Sequence, residues 1–367
     1  MLADLSNDFK RIVIQEIPLI DVRSPIEFKK GAFLNAINLP LMTDEERHLV
    51  GICYKEQGNE AAVKLGYQLV SARKQEARVN AWASQLYKYP DSIFYCFRGG
   101  LRSQISQEWI YSATGMSIPR LEGGYKAFRN YLLSELNAEQ ISSPMLLGGY
   151  TGSGKTILLK ELGNSIDLEG IAHHRGSSFG EYITPQPTQI DFENNLAYAL
   201  IQHKNKGYRY MILEDEGSHI AKCIIPKPIA FYFNRGDLVL LDRPLDERVS
   251  ITMNEYVLQS QVSFLDVYGE DQGIFLWYNY MSASINRLKK RLGDKFKHVI
   301  NSFELAYNEQ KQSGSYDMHK YWIETLLKEY YDPLYLHQIQ KTTKRILFRG
   351  NHEEVLAYFK TYCSGSF

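Results

Sequence analysis

A short apolar strand followed by a glycine-rich loop constrains the fold of this chain more than any other stretch. Met145-Leu146-Leu147 leads into Gly148-Gly149-Tyr150-Thr151-Gly152-Ser153-Gly154-Lys155-Thr156, a complete Gly-x4-Gly-Lys-Thr match. In a strand, loop and helix of this kind the backbone amides cradle a diphosphate, the lysine adds a point charge and the threonine hydroxyl suits Mg²⁺. The motif therefore predicts a phosphate-binding loop (P-loop) in an α/β domain. It selects for a diphosphate ester and does not by itself imply ATP.

A second loop of small residues, from His173 to Gly180, carries a cation and hydroxyl groups that can contact the same anion. Its two adjacent histidines point to different sides of the chain, so we favour anion contact by Arg175 and the serines over a metal site. A purely structural loop is the alternative. The predicted diphosphate-binding residues are Gly149, Thr151, Gly152, Ser153, Gly154, Lys155, Thr156, Arg175 and Ser177.

A second apolar strand, Tyr210 to Leu213, ends in Glu214-Asp215-Glu216. A carboxylate at such a strand end can hold Mg²⁺ directly or through water, next to the threonine of the P-loop. We therefore predict a Mg²⁺ site formed by Thr156, Glu214 and Asp215. The alternative is an ordinary solvated acidic turn.

A cysteine stands at the corresponding place in the first half of the chain. The strand Ile93 to Tyr95 delivers Cys96 to the loop Phe97-Arg98-Gly99-Gly100-Leu101-Arg102-Ser103, and apolar residues at helical spacing follow. Converging loop amides and a helix N-terminus stabilise an anion, either the thiolate or a bound oxyanion. We predict that Cys96, Arg98 and Arg102 are catalytic. The alternative is a buried cysteine that packs as a small hydrophobe.

Composition limits the remaining possibilities. The four cysteines, at positions 53, 96, 223 and 363, are far apart and show no paired spacing, so we expect neither a disulfide framework nor zinc. The N-terminus shows no signal pattern and no apolar run approaches the length of a membrane span, so we expect a cytoplasmic protein without a membrane partner. Lys plus Arg and Asp plus Glu each number 42, so a polyanionic partner would have to meet local basic patches.

The order of elements predicts two α/β domains. Strands at Ile17 to Val22 and at Asn35 to Pro40 precede the Cys96 strand, and helical stretches lie between them, which argues for a parallel sheet. Further strands are expected at Ile229 to Phe233 and Leu238 to Leu241, and helices from Ile285 onward. The predicted division is 1–136, a linker at 137–144, a P-loop domain at 145–284 and a helical C-terminal region at 285–367.

Four motifs in the first domain resemble those of rhodaneses. They are LIDVRSPIEF, INLP, YCFRGGLRS and LEGGYKAFR, and they span nearly all of residues 10–132. The resemblance implies a rhodanese-like parallel-sheet domain followed by a P-loop NTPase-like α/β domain with a helical C-terminal region. Rhodaneses carry a persulfide or related species on the loop cysteine. Cys96 to Arg102 is one residue longer than the usual rhodanese loop and also matches the Cys-x5-Arg-Ser pattern of cysteine phosphatases.

Together the CFRGGLRS, GGYTGSGKT, HHRGSSFG and LEDE motifs resemble the bacterial tRNA 2-selenouridine synthases across essentially the whole length. This resemblance implies exchange of sulfur for selenium in wobble 2-thiouridine of tRNA. The implied co-substrates are selenophosphate and geranyl diphosphate, and the intermediate is S-geranyl-2-thiouridine. Implied partners are tRNA, through its anticodon loop, and an enzyme that supplies selenophosphate. The basic cluster Lys289, Lys290 and Arg291 would contact tRNA, with a solvated helix face as the alternative.

Two other classes of function remain compatible with the motifs. A cysteine phosphatase fused to a kinase-like P-loop domain would use Cys96 and Arg102, although it would also need an aspartic general acid. A sulfur-relay module with a degenerate P-loop would bind tRNA or a carrier protein without consuming geranyl diphosphate. Release of phosphate from an aryl phosphate would favour the phosphatase. Inertness towards geranyl diphosphate and thiolated tRNA would favour the sulfur-relay module.

Overall fold

The computed structural model describes residues 5–137 and 139–363, with Asp271 described in its backbone only. The chain divides into two compact units, Met1–Glu139 with Thr188–Asn205, and Gln140–Pro187 with Lys206–Phe367. Ala138 of the predicted linker, and residues 1–4 and 364–367 of the predicted first and last regions, lie outside the described residues. No helix in the described ranges is both long and apolar enough to cross a membrane.

The strands are short, and all but two of them belong to two five-stranded sheets. In chain order they are β1 (Leu5–Ser6), β2 (Leu19–Asp21), β3 (Ala36–Asn38), β4 (Ile93–Tyr95), β5 (Arg120–Leu121), β6 (Ser143–Gly149), β7 (Ser165–Ile166), β8 (Tyr210–Glu214), β9 (His219–Ile220), β10 (Cys223–Ile224), β11 (Asp237–Leu241) and β12 (Ile346–Gly350).

Helices make up most of the remainder, and two π-helical turns, Asn254–Leu258 and Leu327–Tyr331, interrupt those of the second unit. In chain order the helices are α1 (Phe9–Ile14), α2 (Pro25–Lys29), α3 (Asp44–Leu69), α4 (Arg73–Lys88), α5 (Leu101–Thr114), α6 (Gly124–Asn137), α7 (Lys155–Lys160), α8 (Leu168–Ile171), α9 (Gln189–Lys206), α10 (Lys227–Phe233), α11 (Leu245–Met253), α12 (Gln259–Tyr268), α13 (Glu270–Arg287), α14 (Lys289–Leu292), α15 (Lys295–Ser313), α16 (His319–Leu326), α17 (Asp332–Lys341) and α18 (His352–Tyr362).

The first unit is built on a parallel sheet with strand order β1-β5-β4-β2-β3. Its core packs Ile20 of β2 and Phe94 of β4 against Trp82 of α4 and Ile110 of α5. Because β4 is the central strand, the residue that follows it lies at the carboxyl edge of the sheet, where ligands of parallel sheets bind. The predicted parallel sheet of this half is confirmed.

Helix α9 belongs to the first unit, although the predicted division placed its residues in the P-loop domain. The Ala32 N–H donates to Asp191 Oδ1 at 2.7 Å, and Asn194 Nδ2 donates to the Ala32 carbonyl at 2.6 Å. Tyr198 packs against Phe128 of α6 at 6.0 Å between ring centroids. The two hydrogen bonds to Ala32 join segments 159 and 162 residues apart in the chain, so no local pattern could reveal them.

The second unit is built on a parallel sheet with strand order β12-β11-β6-β8-β7. Leu147 of β6 and Val239 of β11 pack in one core cluster with Leu158 of α7 and Val355 of α18. A separate core joins the helices of the C-terminal region around Trp277, Phe303 and Trp322. The predicted α/β domain with a helical C-terminal region is confirmed.

Two predicted elements of this unit are wrong. Residues 229–233 form the end of helix α10, because Pro228 occupies its first turn and the buried Ile229 and Phe233 lie four residues apart on one helix face. The region from Ile285 onward is not wholly helical, since Ile346–Gly350 returns to the sheet and pairs parallel with β11.

Candidate active site

Strand β4 places Cys96 at the carboxyl edge of the first sheet. Ile93, Phe94 and Tyr95 are all buried, and Cys96 itself is only 3% exposed. The chain then forms a tight loop that ends at Gly100, which caps the N-terminus of α5. The strand, loop and helix predicted around this thiol are therefore present.

Glycines bring the thiol loop into backbone contact with the turn that precedes α6. Gly99 has φ of +67°, and a Cβ at this position would lie 2.8 Å from the Leu121 carbonyl oxygen and 2.9 Å from the Gly123 nitrogen. The Tyr125 N–H donates to the Cys96 carbonyl at 2.9 Å, which fixes the start of the loop. A left-handed backbone with no room for a side chain requires glycine at position 99.

The polar neighbours of the thiol include the side chain of Ser103 and the Gly100 carbonyl oxygen, to which Cys96 Sγ donates at 3.8 Å. Ser103 Oγ lies 3.3 Å from Cys96 Sγ and 3.0 Å from the Gly100 carbonyl oxygen, and the side chain is fully buried. A serine hydroxyl has a single proton, so it can donate either to Gly100 or to the sulfur. Ser103 is therefore a polar contact of Cys96 that the sequence prediction omitted.

The two predicted arginines have different surroundings. Arg98 is exposed, and its guanidinium lies 6.0 Å from the centroid of the Phe97 ring. Arg102 is half-buried and donates to Glu27 Oε2 of α2 at 2.6 Å, while Arg47 of α3 pairs with the same carboxylate at 2.9 Å. Burial alone would raise the pKa of Glu27, but the hydrogen bond and charge of Arg102 and the charge of Arg47 outweigh it and lower that pKa.

The P-loop of the second unit has the backbone geometry that its motif requires. Gly152 and Gly154 have φ of +77° and +83°, and a Cβ on Gly152 would lie 3.0 Å from the Arg248 carbonyl oxygen. Lys155 Nζ donates to the Gly149 carbonyl at 3.0 Å, across the mouth of the loop. The lysine therefore already points back over the site that a diphosphate would fill.

Arg248 of α11 supports the P-loop from behind. Its Nε donates to the Thr151 carbonyl at 3.0 Å, and its two terminal nitrogens hold both carboxylate oxygens of Asp332 at 3.1 and 2.5 Å. The same guanidinium lies 4.7 Å from the centroid of the Tyr150 ring. A buried, bidentate pair of this kind fixes geometry more than it adds stability, so we interpret Arg248 as a residue that holds the loop in shape.

The charge of Lys155 acts on several carboxylates, and Glu214 of the predicted metal site is one of them. Asp215 forms a salt bridge with Lys344. Glu214 is buried at the end of β8, where its Oε2 accepts from the Leu168 N–H at 3.3 Å and its Oε1 has no hydrogen-bond partner. Burial raises the pKa of Glu214 well above its ordinary value, and the charge of Glu169 acts in the same direction.

Two further carboxylates, Glu169 and Glu216, lie with Glu214. The sequence analysis placed Glu216 at the same strand end but not among the predicted ligands, and it did not place Glu169 there. Burial raises the pKa of Glu169 to about 8, and the charge of Glu216 adds to the rise. Burial likewise raises the pKa of Glu216, against the opposing charge of Lys155. Glu169 precedes the HHRGSSFG loop, and only its place in the fold brings it to Lys155.

The HHRGSSFG loop packs around aromatic rings. The Arg175 guanidinium lies 4.1 Å from the Tyr182 centroid and 5.4 Å from the Tyr256 centroid, and Ser177 Oγ is 2.8 Å from Tyr256 Oη. The two histidines diverge as expected, since His173 Nε2 lies 2.7 Å from Thr184 Oγ1 and His174 Nδ1 accepts from the Gly176 N–H at 3.1 Å. Across residues 5–137 and 139–363, no group of three or more His, Cys, Asp or Glu side chains is arranged to hold a metal ion.

Comparison with known proteins identifies the class. Residues 142–365 match the family model described as the tRNA 2-selenouridine synthase AAA domain, which includes both the P-loop sheet and the helical C-terminal region. The tRNA 2-selenouridine synthase of Sulfurovum sp. (strain NBC37-1) is 52% identical over 97% of this chain and 98% of its own length. Those of Hydrogenovibrio crunogenus and Serratia proteamaculans are 48% and 45% identical, over 95% and 97% of this chain and 97% and 95% of their own lengths.

The fold and the matched domain thus define a two-unit α/β protein of the P-loop class. The chain belongs to the tRNA 2-selenouridine synthase family. A solved structure titled as the N-terminal domain of a putative ATP/GTP binding protein from Clostridium difficile 630 is 34% identical over 36% of this chain and 99% of its own, with a TM-score of 0.32.

Proposed function

We propose that this protein replaces sulfur by selenium in 2-thiouridine of tRNA in two steps, each served by one of the two anion sites. The observation that carries the proposal is the presence of a buried thiol loop and a P-loop on separate units of a chain that belongs to this family. The P-loop would serve S-geranylation with geranyl diphosphate. The Cys96 loop would serve the exchange that uses selenophosphate.

Alkylation prepares the base because sulfide is a poor leaving group from its 2-position carbon. In the first step the sulfur attacks C1 of geranyl diphosphate, the C–O bond breaks, and pyrophosphate leaves together with the N3 proton of the base. Lys155, the P-loop amides and Arg175 would stabilise the charge on the departing pyrophosphate. Ser177 and Thr156 would supply hydroxyl contacts.

A divalent cation that binds together with the diphosphate would need only one or two ligands from the protein. Glu214 has a buried oxygen without a hydrogen-bond partner, and burial raises the pKa of both Glu169 and Glu216 beside it. Mg²⁺ binds through one or two carboxylates and the phosphates of its substrate. Thr156 and Glu214 would hold it, and when bound it would neutralise charge on the leaving pyrophosphate. Asp215 is engaged by Lys344 and is not needed for this role.

The second step takes place at C2 of the alkylated base. Selenium of selenophosphate forms a bond to C2, geranylthiol leaves as the C–S bond breaks and takes up a proton, and water cleaves the Se–P bond to give phosphate. Arg98, Arg102 and the loop amides would bind the selenophosphate oxygens. Cys96, supported by Ser103, would either carry the selenium covalently or orient the donor.

The Cys-x5-Arg-Ser spacing, with Ser103 Oγ 3.3 Å from the sulfur, keeps a cysteine phosphatase as the second candidate. Mass spectrometry of nucleosides from thiolated tRNA, incubated with geranyl diphosphate with and without selenophosphate, tests the proposal. We expect S-geranyl-2-thiouridine without selenophosphate and 2-selenouridine with it. Absence of both products, together with hydrolysis of an aryl phosphate, would favour the phosphatase.

A further inference from the structure

A groove of about 660 Å³ runs along the first unit beside the thiol loop. Helix α3 forms most of it, and the start of α5 closes one side through Leu101 and Arg102, the residues that directly follow the loop of Cys96. The volume lies within the roughly 300 to 1,000 Å³ of sites that hold small organic ligands, a size class that includes nucleotides.

The helix that forms the groove is not shaped to fill a core. Of the 26 residues of α3 only Glu46, Cys53 and Ala62 are buried, and the helix is kinked at Gly58, where φ is +84°. The kink places the residues before and after it around one concave surface. Large side chains on that surface remain open, with Tyr54 58% and Tyr67 45% exposed. Tyr67 has a ring neighbour in Trp109 of the same unit, and Tyr54 is the more exposed of the two tyrosines.

The groove is lined by aliphatic side chains together with aromatic rings and basic groups. Tyr54, Tyr67 and Trp109 provide rings, the last two with centroids 6.2 Å apart, and Arg47, His48 and Lys55 provide basic groups. None of the described residues that line the groove is an aspartate or glutamate. Glu27, behind it, is shared by Arg47 and Arg102, so one carboxylate faces two guanidinium groups and positive charge remains.

This lining fits one class of ligand best. Rings without neighbouring carboxylates accept nucleobases, and basic groups beside them accept the phosphates that join the bases. A purely apolar chain would have no use for the cations, and a duplex keeps its bases stacked on one another and out of reach of the rings. The groove also leads to the thiol loop, where a base must arrive.

We propose that the α3–α5 groove binds single-stranded nucleotides of the RNA substrate next to the base that reacts. The identity of the RNA rests on the proposed function, whereas the groove itself is defined by its lining. Bases would stack on Tyr54 and Tyr67, and Lys55 would contact a phosphate. This surface belongs to the first unit, whereas the basic cluster at Lys289 belongs to the second.

Gly51 allows the groove to be filled without damage to the fold. Its position is helical and a Cβ there meets no atom within 4 Å, so Gly51→Leu projects into open space and replaces a poor helix former with a good one. Gly51→Ala is the matched control of minimal size. Lys55→Glu tests the phosphate contact, and Lys64→Glu, exposed on the same helix but outside the groove, is its control.

The measurement is fluorescence anisotropy with a labelled, unmodified anticodon stem-loop and the full-length protein, in parallel with calorimetry of geranyl diphosphate binding. We expect Gly51→Leu to weaken RNA binding about 5-fold or more, as loss of one stacked base does. Lys55→Glu should reduce the slope of log K against log salt by roughly 0.7. Both controls should bind as the wild type does, with unchanged circular dichroism.

Three outcomes would overturn the proposal. Gly51→Leu and Lys55→Glu with wild-type RNA affinity would remove RNA from the groove, and the proposed function would stand. Weaker geranyl diphosphate binding with unchanged RNA binding would assign the groove to a prenyl chain. A wild type that binds neither this stem-loop nor its 2-thiouridine form would contradict the proposed function itself.

Discussion

Gly99→Ala should open the thiol loop, because glycine is required there for two separable reasons. The first is the left-handed backbone, with φ of +67°, which costs an L-residue about 1 to 2 kcal/mol. The second is contact, since the new Cβ would lie 2.8 Å from the Leu121 carbonyl oxygen and 2.9 Å from the Gly123 nitrogen. These are backbone atoms that cannot rotate away, and overpacking of this kind adds about 1 to 3 kcal/mol.

Gly115→Ala is the matched control. Gly115 ends α5 with φ of +74°, and a Cβ there meets no atom within 4 Å, so this variant bears the backbone cost alone. The difference between the two variants is the contact energy. Because of this contact energy, hydrogen exchange in peptides covering residues 93–105 should be roughly 5- to 150-fold faster in Gly99→Ala than in Gly115→Ala.

A chemical probe should report the same opening. Cys96 is buried in the closed loop, so iodoacetamide should label it faster in Gly99→Ala than in Gly115→Ala, while Cys53 serves as an internal reference. Selenation should fall in step with the opening, and S-geranylation should not. Equal exchange and equal labelling in the two variants would refute the reasoning that the close approach of the Leu121 strand end shapes the thiol loop.

The remaining predictions concern the second unit. Lys155→Ala should slow S-geranylation about 10²-fold or more by removing charge that stabilises the leaving pyrophosphate; rapid-quench analysis of nucleosides measures this, and a wild-type rate would contradict it. Replacing Lys289, Lys290 and Arg291 by Glu should weaken tRNA binding and reduce the salt slope by roughly 0.7 to 0.9 for each phosphate that is no longer neutralised; parallel slopes would return this cluster to a solvated helix face. The pKa of Glu169 is raised from 4.5 to about 8, so its contribution to stability is fully present below the lower value and is lost as the pH rises through the higher one. Glu169→Gln should flatten that loss in urea unfolding without divalent cations, and an unchanged pH profile would remove Glu169 from the buried cluster.

Local patterns predicted those parts of the fold in which neighbours along the chain determine structure. The strands before Cys96 and before the P-loop, and the helices after them, follow from apolar runs, glycines and helical spacing. Strand β12 was missed because its apolar run, Ile346–Phe348, is short and follows a long helical region. The apolar residues 229–233 favour a strand when they are read alone. The two prolines before them favour the start of helix α10, which is the element that forms.

The candidate sites were predicted in their backbone and less completely in their side chains. Motifs identify Cys96 and Lys155, since each lies in the loop that positions it. Ser103 could have been found, because it follows Arg102 directly in the same motif. Glu27, Glu169 and Arg248 reach the two loops from distant segments, and only the fold brings them there. The salt bridge between the predicted metal ligand Asp215 and Lys344 likewise joins residues 129 positions apart, so only the fold shows it.

The division of the two steps between the two units is tested most directly with tRNA that already carries S-geranyl-2-thiouridine. Supplied with selenophosphate, Lys155→Ala should form 2-selenouridine at close to the wild-type rate, because the alkylation that needs the P-loop is already complete. Cys96→Ser should form none, although with 2-thiouridine tRNA and geranyl diphosphate it should still produce the S-geranyl nucleoside. Equal losses in the two variants on the pre-alkylated tRNA, or an undiminished rate in Cys96→Ser, would contradict this account.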